Sequence, residues 1–255
     1  MAISNQAARF SDRVDDYVKN RPHYPVEVID LLAARAGLVP DSVIADVGSG
    51  TGILTQLFLE NGNPVIGIEP NREMREAGET LLAEFGRFTS LDGTAEATKL
   101  PAQSMDFVVV GQAFHWFDRD KTRAEFCRIL KPDAIVALIW NDRRVDSTPF
   151  LRDYEALLNK FGNDYKEVGH KSALDVESFT PFFGGAPLMA TLENSQRCTR
   201  EGLIGRLHSA SYMPTKGAPN YAEMIVRAGE IFDAHARNGH VQFDYDTRVF
   251  YGGMA

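Results

Sequence analysis

Four short apolar runs between residues 43 and 140 constrain the fold of this chain more than any other feature of its sequence. They cover residues 43–47, 64–69, 107–110 and 134–140, and none of them alternates polar with apolar residues. Such runs are typical of strands that are buried on both faces of a parallel sheet. Stretches with apolar residues at helical spacing separate them. The alternation of strand and helix predicts an α/β fold of the doubly wound type.

The segments outside this region carry patterns of their own. Residues 147–161 place their apolar side chains on one helical face, and Asn220 with Glu223 forms a pattern typical of a capping pair, which predicts a helix that ends near Gly239. Residues 241–251 alternate as in a half-exposed strand. No internal repeat or low-complexity tract interrupts the chain, so we predict a single domain over residues 1–255.

Composition excludes several classes of protein. The chain has 255 residues, with 27 Lys and Arg against 35 Asp and Glu, and its net charge is −8. Such an acidic surface repels phosphate backbones, so we expect no nucleic-acid partner. Only Cys127 and Cys198 are present, which is not the framework of a disulfide-rich domain. No apolar stretch is long enough for a signal peptide or a membrane span, so we expect a soluble, cytoplasmic protein without a membrane partner.

A glycine loop follows the first apolar run. The sequence Gly48-Ser49-Gly50-Thr51-Gly52 comes directly after this predicted strand, and a helical pattern begins at Ile53. Glycines in such a loop allow a tight turn and the close approach of a ligand. Glu69 closes the second apolar run, and an acid there accepts hydrogen bonds from a ribose hydroxyl in doubly wound folds. The sequence therefore predicts a ligand that contains a nucleoside.

The spacing of the glycines distinguishes between nucleoside ligands. Dinucleotide-binding loops have the pattern G-x-G-x-x-G, whereas this loop has G-x-G-x-G and Ile53 stands at the position of the third glycine. The stretch from Asp46 to Gly52 resembles the first motif of class I S-adenosylmethionine-dependent methyltransferases. Residues 69–71, 93–96, 100–101, 105–107 and 128–132 resemble later segments of the same family, in the same order.

The resemblance implies a cofactor and the residues that bind it. The cofactor is S-adenosyl-L-methionine, which is released as S-adenosyl-L-homocysteine. The residues that match the motifs of the family, and that we expect to bind this cofactor, are Asp46, Gly48, Ser49, Gly50, Gly52, Glu69, Pro70, Met74, Ala95, Glu96 and Gln112.

The resemblance also implies the architecture. We expect a Rossmann-like, seven-stranded mixed sheet with a cofactor-binding core over residues 38–145. Helices in residues 1–37, 147–183 and 199–238 are expected to form cap and lid additions. Within the family, the chain is similar to methyltransferases of type 11. Residues 112–117, together with Tyr17 and the segment from Arg21 to Pro25, resemble trans-aconitate methyltransferase-like enzymes, which act on small molecules.

The acceptor class follows by exclusion. Amino-base methyltransferases resemble one another in an Asn/Asp-Pro-Pro-aromatic turn, which this chain lacks after its fourth predicted strand. Methyltransferases that act on C5 of cytosine need a nucleophilic cysteine, usually after a proline. Cys127 follows Phe126 in an amphipathic helical pattern, so we expect a small buried side chain and not a nucleophile. Asn141 and Asp142 could contribute to a metal site, but Gln112 stands where metal-dependent relatives have an acid, so no metal is expected. A small-molecule substrate remains. As its methyl acceptor we expect a carboxylate or a hydroxyl.

Aromatic and basic residues near the expected site are candidates for binding this acceptor. The substrate-binding candidates are Tyr17, Arg21, Tyr24, His115, Trp116 and Arg143. His115 is also the candidate general base, with a packed histidine as its alternative. The segment that carries Tyr17 is either a lid or a solvated arm. Two other functions stay open, a nicotinamide-dependent oxidoreductase and a non-catalytic protein that binds S-adenosylmethionine. The oligomeric state is not predicted.

Overall fold

The computed structural model describes residues 21–163, 165, 176–210 and 212–254. The described strands are β1 (Ile44–Val47), β2 (Val65–Ile68), β3 (Phe88–Leu91), β4 (Met105–Gly111), β5 (Leu130–Arg143), β6 (Leu188–Cys198) and β7 (Val241–Gly252). The described α-helices are α1 (Glu27–Ala36), α2 (Ile53–Glu60), α3 (Arg72–Leu81), α4 (Arg119–Ile129), α5 (Pro149–Phe161), α6 (Val176–Phe183), α7 (Arg200–Ser209) and α8 (Tyr221–His235). A short 3-10 helix covers Phe114–Trp116.

The strands form one seven-stranded mixed sheet in the order β3-β2-β1-β4-β5-β7-β6. The β1 strand pairs in parallel with β2 and with β4, while β2 pairs with β3 and β4 pairs with β5, also in parallel. The chain first adds β2 and β3 on one side of β1 and then places β4 and β5 on its other side, so the order of the strands reverses between the neighbours β1 and β4. The carboxyl ends of the strands at such a reversal form the usual ligand site of doubly wound folds. The predicted fold class is confirmed.

The chain divides into two compact units. The first, here called the sheet unit, consists of His23–Asn141, Ala173–Leu192 and Thr247–Ala255. The second, here called the helical unit, consists of Met1–Pro22, Asp142–Ser172 and Glu193–Asp246.

The sheet unit has two apolar clusters because its central strands are buried on both faces. Ala45 and Val47 belong to one cluster, and Ile44 belongs to the other. Along β4, Val108 and Val109 likewise belong to different clusters. Successive side chains of a strand point to opposite faces, so the unbroken apolar runs supply both clusters.

The helical unit has a single apolar cluster. Its amphipathic helix α5 contributes six buried side chains, which are Phe150, Leu151, Tyr154, Leu157, Leu158 and Phe161. Helices α7 and α8 and the first part of β7 complete the cluster. The helical face predicted over residues 147–161 is confirmed.

Helix ends follow local sequence signals. Asp118 begins α4 by accepting a hydrogen bond from the backbone N–H of Lys121, and Gly37 ends α1 in the left-handed conformation. The predicted capping pair at the start of α8 is wrong, because neither side chain caps the helix. The Asn220 side chain makes no capping bond, and Glu223 accepts a hydrogen bond from Lys160 of α5 instead. The helix ends at His235, before Gly239.

One further expectation is corrected by the structure, and two strands were not predicted. Cys127 is exposed, because it lies on the outer face of α4, whereas Cys198 is buried. Strands β3 and β6 were not predicted, because their side chains are largely half-buried or exposed and form no continuous apolar run. Among the described residues, no helix is long and apolar enough to cross a membrane.

Candidate active site

The glycine loop joins β1 to α2 at the point where the sheet order reverses. Gly48, Gly50 and Gly52 have φ values of 72°, 57° and 85°, in the left-handed region that favours glycine. A Cβ atom on Gly48 would lie 2.7 Å from the Cβ of Ala113, and one on Gly52 would lie 2.5 Å from a methyl of Leu82. These two glycines therefore allow close packing of protein on protein.

Gly50 differs from its two neighbours in the loop. A Cβ atom there would meet only the methyl of Met74 within 4 Å, at 3.4 Å. The loop is therefore open beside Gly50 and closed beside Gly48 and Gly52. That Gly48 and Gly50 bind the cofactor stays a prediction.

Glu69 anchors the glycine loop. Its Oε2 accepts a hydrogen bond from the Gly50 N–H at 2.9 Å, and its Oε1 accepts one from the Asn71 N–H at 2.8 Å. Burial raises the pKa of Glu69, although these two backbone donors oppose the shift. The carboxylate that was expected to bind a ribose thus stands at the loop, beside Pro70 at the end of β2.

Asp46 is a buried acid with one satisfied oxygen. It is 0% exposed, and its Oδ2 accepts a hydrogen bond from the Thr55 hydroxyl at 2.6 Å. Its Oδ1 is buried and has no hydrogen-bond partner among the described residues. Burial raises the pKa of Asp46 to about 7, and the nearby Glu69 carboxylate adds to this shift. An unpaired carboxylate oxygen can accept a hydrogen bond from a donor group.

The remaining predicted cofactor residues lie on loops of the sheet unit. Gln112 follows β4 with a φ of 58°, and its side chain donates to the Asn141 carbonyl. Ala95 is buried, while Glu96 accepts a hydrogen bond from the backbone N–H of Asp118 at 3.0 Å. Ser49 lies against β2, because a Cβ on Gly67 would be 3.0 Å from the Ser49 hydroxyl oxygen.

Two residues near the loop were missed by sequence reasoning. Thr55 holds Asp46 from the first turn of α2, and Gly78 lets α3 approach the loop. A Cβ on Gly78 would lie 3.3 Å from the carbonyl carbon of Thr51. The signal for Gly78 was a glycine inside a helical pattern, which often marks a close approach of backbone.

The candidate acceptor residues His115 and Trp116 follow β4 on the 3-10 helix. Both side chains are exposed, and their rings lie 4.5 Å apart. The neighbouring Phe114 is 1% exposed and fixes this turn in the core. Tyr24 lies at the same end of β4. Its hydroxyl packs against Gly111, the last residue of the strand, where an added Cβ atom would be 2.6 Å away. The structure therefore places these three side chains at or after the carboxyl end of β4.

The arginine candidates fall in the helical unit. Arg143 donates to Glu155 and to the Tyr165 hydroxyl, and its guanidinium lies 5.1 Å from the ring centre of Tyr154. Arg21 donates to the Ser209 carbonyl at 3.1 Å. Tyr17 lies outside the described residues.

The side-chain amide of Asn141, considered above for a metal site, forms hydrogen bonds to the protein through both its nitrogen and its oxygen. Its Nδ2 donates to the His23 carbonyl at 3.2 Å, and its Oδ1 accepts from the Thr247 hydroxyl at 2.5 Å. The side chain thus ties together parts of the sheet unit. Among the described residues, no group of three or more His, Cys, Asp or Glu side chains could hold a metal ion.

A doubly wound sheet with a glycine loop and an acid on the next strand defines a class of α/β proteins that bind nucleoside cofactors. Comparison with known proteins narrows this class. A family model described as a methyltransferase domain matches residues 45–138. An uncharacterized methyltransferase of Mycobacterium tuberculosis is 33% identical over 226 residues, which cover 89% of this chain and 86% of that protein.

Further similarity extends to other relatives and to solved structures. An uncharacterized methyltransferase-like protein of Schizosaccharomyces pombe is 30% identical over 165 residues, which cover 64% of this chain and 63% of that protein. A putative type II methyltransferase from Anaeromyxobacter dehalogenans has the same fold, with a TM-score of 0.68 at 21% identity, covering 92% of this chain and 98% of that chain. The chain belongs to the methyltransferase family. This membership does not favour a nicotinamide-dependent oxidoreductase.

Proposed function

We propose that the protein transfers a methyl group from S-adenosyl-L-methionine to a small molecule, with a carboxylate or hydroxyl oxygen as the acceptor. Family membership supports methyl transfer, and the residues of the glycine loop support this donor. The similarity of residues 112–117 to trans-aconitate methyltransferase-like enzymes supports a small acceptor. When bound, S-adenosylmethionine supplies a methyl group activated by a sulfonium.

The observation that carries the proposal is the unsatisfied Oδ1 of Asp46. A buried polar atom without a partner is costly, and native proteins rarely keep one without a reason. S-adenosylmethionine has an ammonium group in its amino-acid part, and an ammonium forms charge-assisted hydrogen bonds with an ionised carboxylate. The family motif that contains Asp46 runs past this part of the cofactor. Asp46 therefore suits the cofactor's ammonium.

Glu69 suits the ribose. Its two oxygens already accept backbone N–H groups, and each carboxylate oxygen has a second lone pair for a hydroxyl donor. Because the same carboxylate holds Gly50, ribose binding and loop position are coupled. The open space beside Gly50 lets the cofactor approach the backbone there.

Residues after β4 are proposed to serve the acceptor. His115 has an exposed side chain in a position to take a proton from a hydroxyl. An ionised carboxylate has no proton to lose and needs no such base. For that acceptor, His115 would only help to orient the substrate. Trp116 and Tyr24 supply aromatic surface that excludes water from the reacting oxygen. Alignment of the acceptor and exclusion of water are the main contributions expected of the protein.

The proposal is tested by methyl uptake. The purified protein is incubated with S-adenosylmethionine labelled on its methyl group, and with panels of small acids, phenols and alcohols. Transfer of label to an acid or alcohol, lost in Asp46→Asn, is the expected result. Cofactor binding without transfer to any small molecule would favour the alternative of a non-catalytic protein that binds S-adenosylmethionine.

A further inference from the structure

A buried arginine in the helical unit lacks an anionic partner. Arg206 lies on α7, is 9% exposed, and donates one hydrogen bond, from Nη1 to Oε1 of Gln196 at 2.9 Å. A guanidinium carries five N–H donors and stays charged at any physiological pH. Among the described residues, no Asp or Glu forms a salt bridge with Arg206, and its one hydrogen-bonded acceptor is a neutral amide. Burying a charge this way costs free energy unless an anion completes it.

Aromatic rings surround this guanidinium. Its central carbon lies 4.5 Å from the ring centre of Phe243 and 5.4 Å from that of Tyr245. Phe243 packs edge to face on Tyr154, at 4.9 Å between ring centres. These rings bury the arginine without neutralising it. The local environment is therefore aromatic and cationic.

The other charges of this cluster leave it positive. The guanidinium of Arg143 lies over the ring of Tyr154, which packs on Phe243. Arg143 also forms a salt bridge with Glu155. Burial raises the pKa of Tyr245, and the nearby positive charges of Arg206, Arg143 and Arg21 oppose this shift. Among the residues that the structure describes, Glu155 is the acid that hydrogen-bonds within this group, and Arg143 neutralises it. An excess of positive charge thus remains around Arg206.

The Tyr154 hydroxyl adds a neutral donor. Burial raises the pKa of Tyr154 to about 12, so its hydroxyl stays protonated and able to donate to an anion. The Tyr245 hydroxyl donates to the same Gln196 oxygen as Arg206, at 3.3 Å. Gln196 thereby fixes the orientation of both groups. A guanidinium held in a fixed plane is suited to bidentate binding.

We propose that Arg206 is the anchor of a carboxylate-binding site in the helical unit, flanked by Tyr154 and Tyr245. A carboxylate is favoured over a phosphate because Arg206 supplies one unbalanced positive charge, which neutralises the single charge of a carboxylate but not the larger charge of a phosphate. Arg206 also lies within α7 and not at a helix N-terminus, where phosphate sites commonly form. The proposed site lies wholly within the helical unit and goes beyond the proposed function.

The test uses benzoate as the probe and benzamide as its neutral match in shape. Isothermal titration or ligand-observed NMR measures binding of each to the full-length protein. We expect benzoate to bind at least about tenfold more tightly than benzamide, because only benzoate carries a negative charge that balances the guanidinium and accepts two hydrogen bonds from it. Inorganic phosphate is the third probe. Phosphate that binds more tightly than benzoate would overturn the assignment to carboxylates, and equal binding of benzoate and benzamide would overturn the site.

Variants then locate the binding. Arg206→Met keeps the length of the side chain and removes its charge, and we expect it to weaken benzoate binding about tenfold or more. Arg227→Gln is the matched control, because Arg227 lies on α8 of the same unit and is 51% exposed. Benzoate binding that is unchanged in Arg206→Met would contradict the proposal. Should this variant not fold, Arg206→Lys keeps the charge and loses the fork, and wild-type affinity for benzoate in it would contradict the proposal equally.

A parallel titration with S-adenosylhomocysteine separates this inference from the proposed function. Arg206→Met should keep wild-type affinity for S-adenosylhomocysteine, since Asp46 and Glu69 belong to the sheet unit. A protein that binds benzoate through Arg206 but never S-adenosylhomocysteine would refute the proposed function and leave the carboxylate site standing. The reverse pattern would refute the site alone.

Discussion

Glu69 Oε2 accepts a hydrogen bond from the backbone N–H of Gly50 at 2.9 Å, and this contact joins the end of β2 to the middle of the glycine loop. The two residues are 19 positions apart in sequence. The acid that identifies the site in the sequence thus also holds the loop in position. Changes at Glu69 are therefore expected to affect both the ligand and the loop.

The first prediction separates these two roles. Glu69→Ala should weaken S-adenosylhomocysteine binding by roughly 1–3 kcal/mol, because a charge-assisted contact to ribose is lost together with the anchor of Gly50. Glu69→Gln keeps an acceptor for the Gly50 N–H and should lose less. Calorimetric titration measures both. Wild-type affinity in the alanine variant would remove Glu69 from the cofactor site.

The second prediction concerns the pH dependence of stability at Asp46. Its pKa is raised from 3.8 to about 7 in the folded protein, so the folded state holds the proton more tightly than the unfolded state. This contribution to stability is present below about pH 4 and is lost as the pH rises towards 7. Asp46→Asn cannot lose a proton. Its stability relative to wild type should increase across this window, by at most on the order of 4 kcal/mol.

Denaturant unfolding of the ligand-free proteins at pH 4.5 and pH 8, values that bracket about pH 7, measures this difference. The same variant should bind S-adenosylhomocysteine at least about tenfold more weakly, since an amide cannot pair with an ammonium as a carboxylate does. A gain in stability would thus accompany a loss of binding. If the stability of Asp46→Asn follows that of wild type at both pH values, then Asp46 does not titrate in this range.

The third prediction compares two glycines of the loop. Gly48→Ala places a methyl group against Ala113 in a left-handed conformation, so it should destabilise the fold by about 1–3 kcal/mol. Gly50→Ala meets only Met74 at an ordinary distance, so it bears mainly the conformational cost of about 1 kcal/mol. Thermal unfolding measures both. Equal losses at the two positions would contradict the packing described for Gly48.

Gly50→Val extends this comparison from stability to binding. A branched side chain would occupy the open space beside Gly50, so S-adenosylhomocysteine binding should be abolished while the circular dichroism spectrum persists. Normal binding by a folded valine variant would mean that the cofactor does not approach the loop there.

The fourth prediction concerns His115. If the acceptor is a hydroxyl, His115→Ala should lower turnover by about 10²–10⁴-fold and leave S-adenosylhomocysteine affinity unchanged. Trp116→Ala is the comparison variant, because Trp116 shares the exposed 3-10 turn and has no basic group. Turnover is measured with the acceptor found by the methyl-uptake screen. An equal, modest loss in both variants would assign His115 to positioning and not to proton transfer.

Sequence reasoning predicted the parallel strands β1, β2, β4 and β5 because their apolar runs reflect burial on both faces. It missed β3 and β6, because the side chains of Phe88–Leu91 and Leu188–Cys198 are largely half-buried or exposed and resemble loop. The pairing of these edge strands depends on partners distant in sequence. Local pattern does not contain that information.

At the site, motif spacing predicted the loop and its acid, since both depend on residues close in sequence. The orphaned oxygen of Asp46 and the isolated charge of Arg206 depend on which side chains fold around them. The same holds for Cys127, whose helical pattern did not show which face of α4 would be covered. Whether a single side chain would be buried or exposed was therefore the feature that the sequence predicted least well. The cytoplasmic location stays a prediction.

The central claim is that the glycine loop, Asp46 and Glu69 form a site for S-adenosylmethionine. Calorimetric titration of the wild-type protein with S-adenosylhomocysteine, beside a titration with NADH, tests it most directly. We predict saturable binding of one S-adenosylhomocysteine per chain, greatly weakened in Asp46→Asn, and no binding of NADH. Binding of NADH in preference to S-adenosylhomocysteine, or S-adenosylhomocysteine binding that is unchanged in Asp46→Asn, would contradict the account.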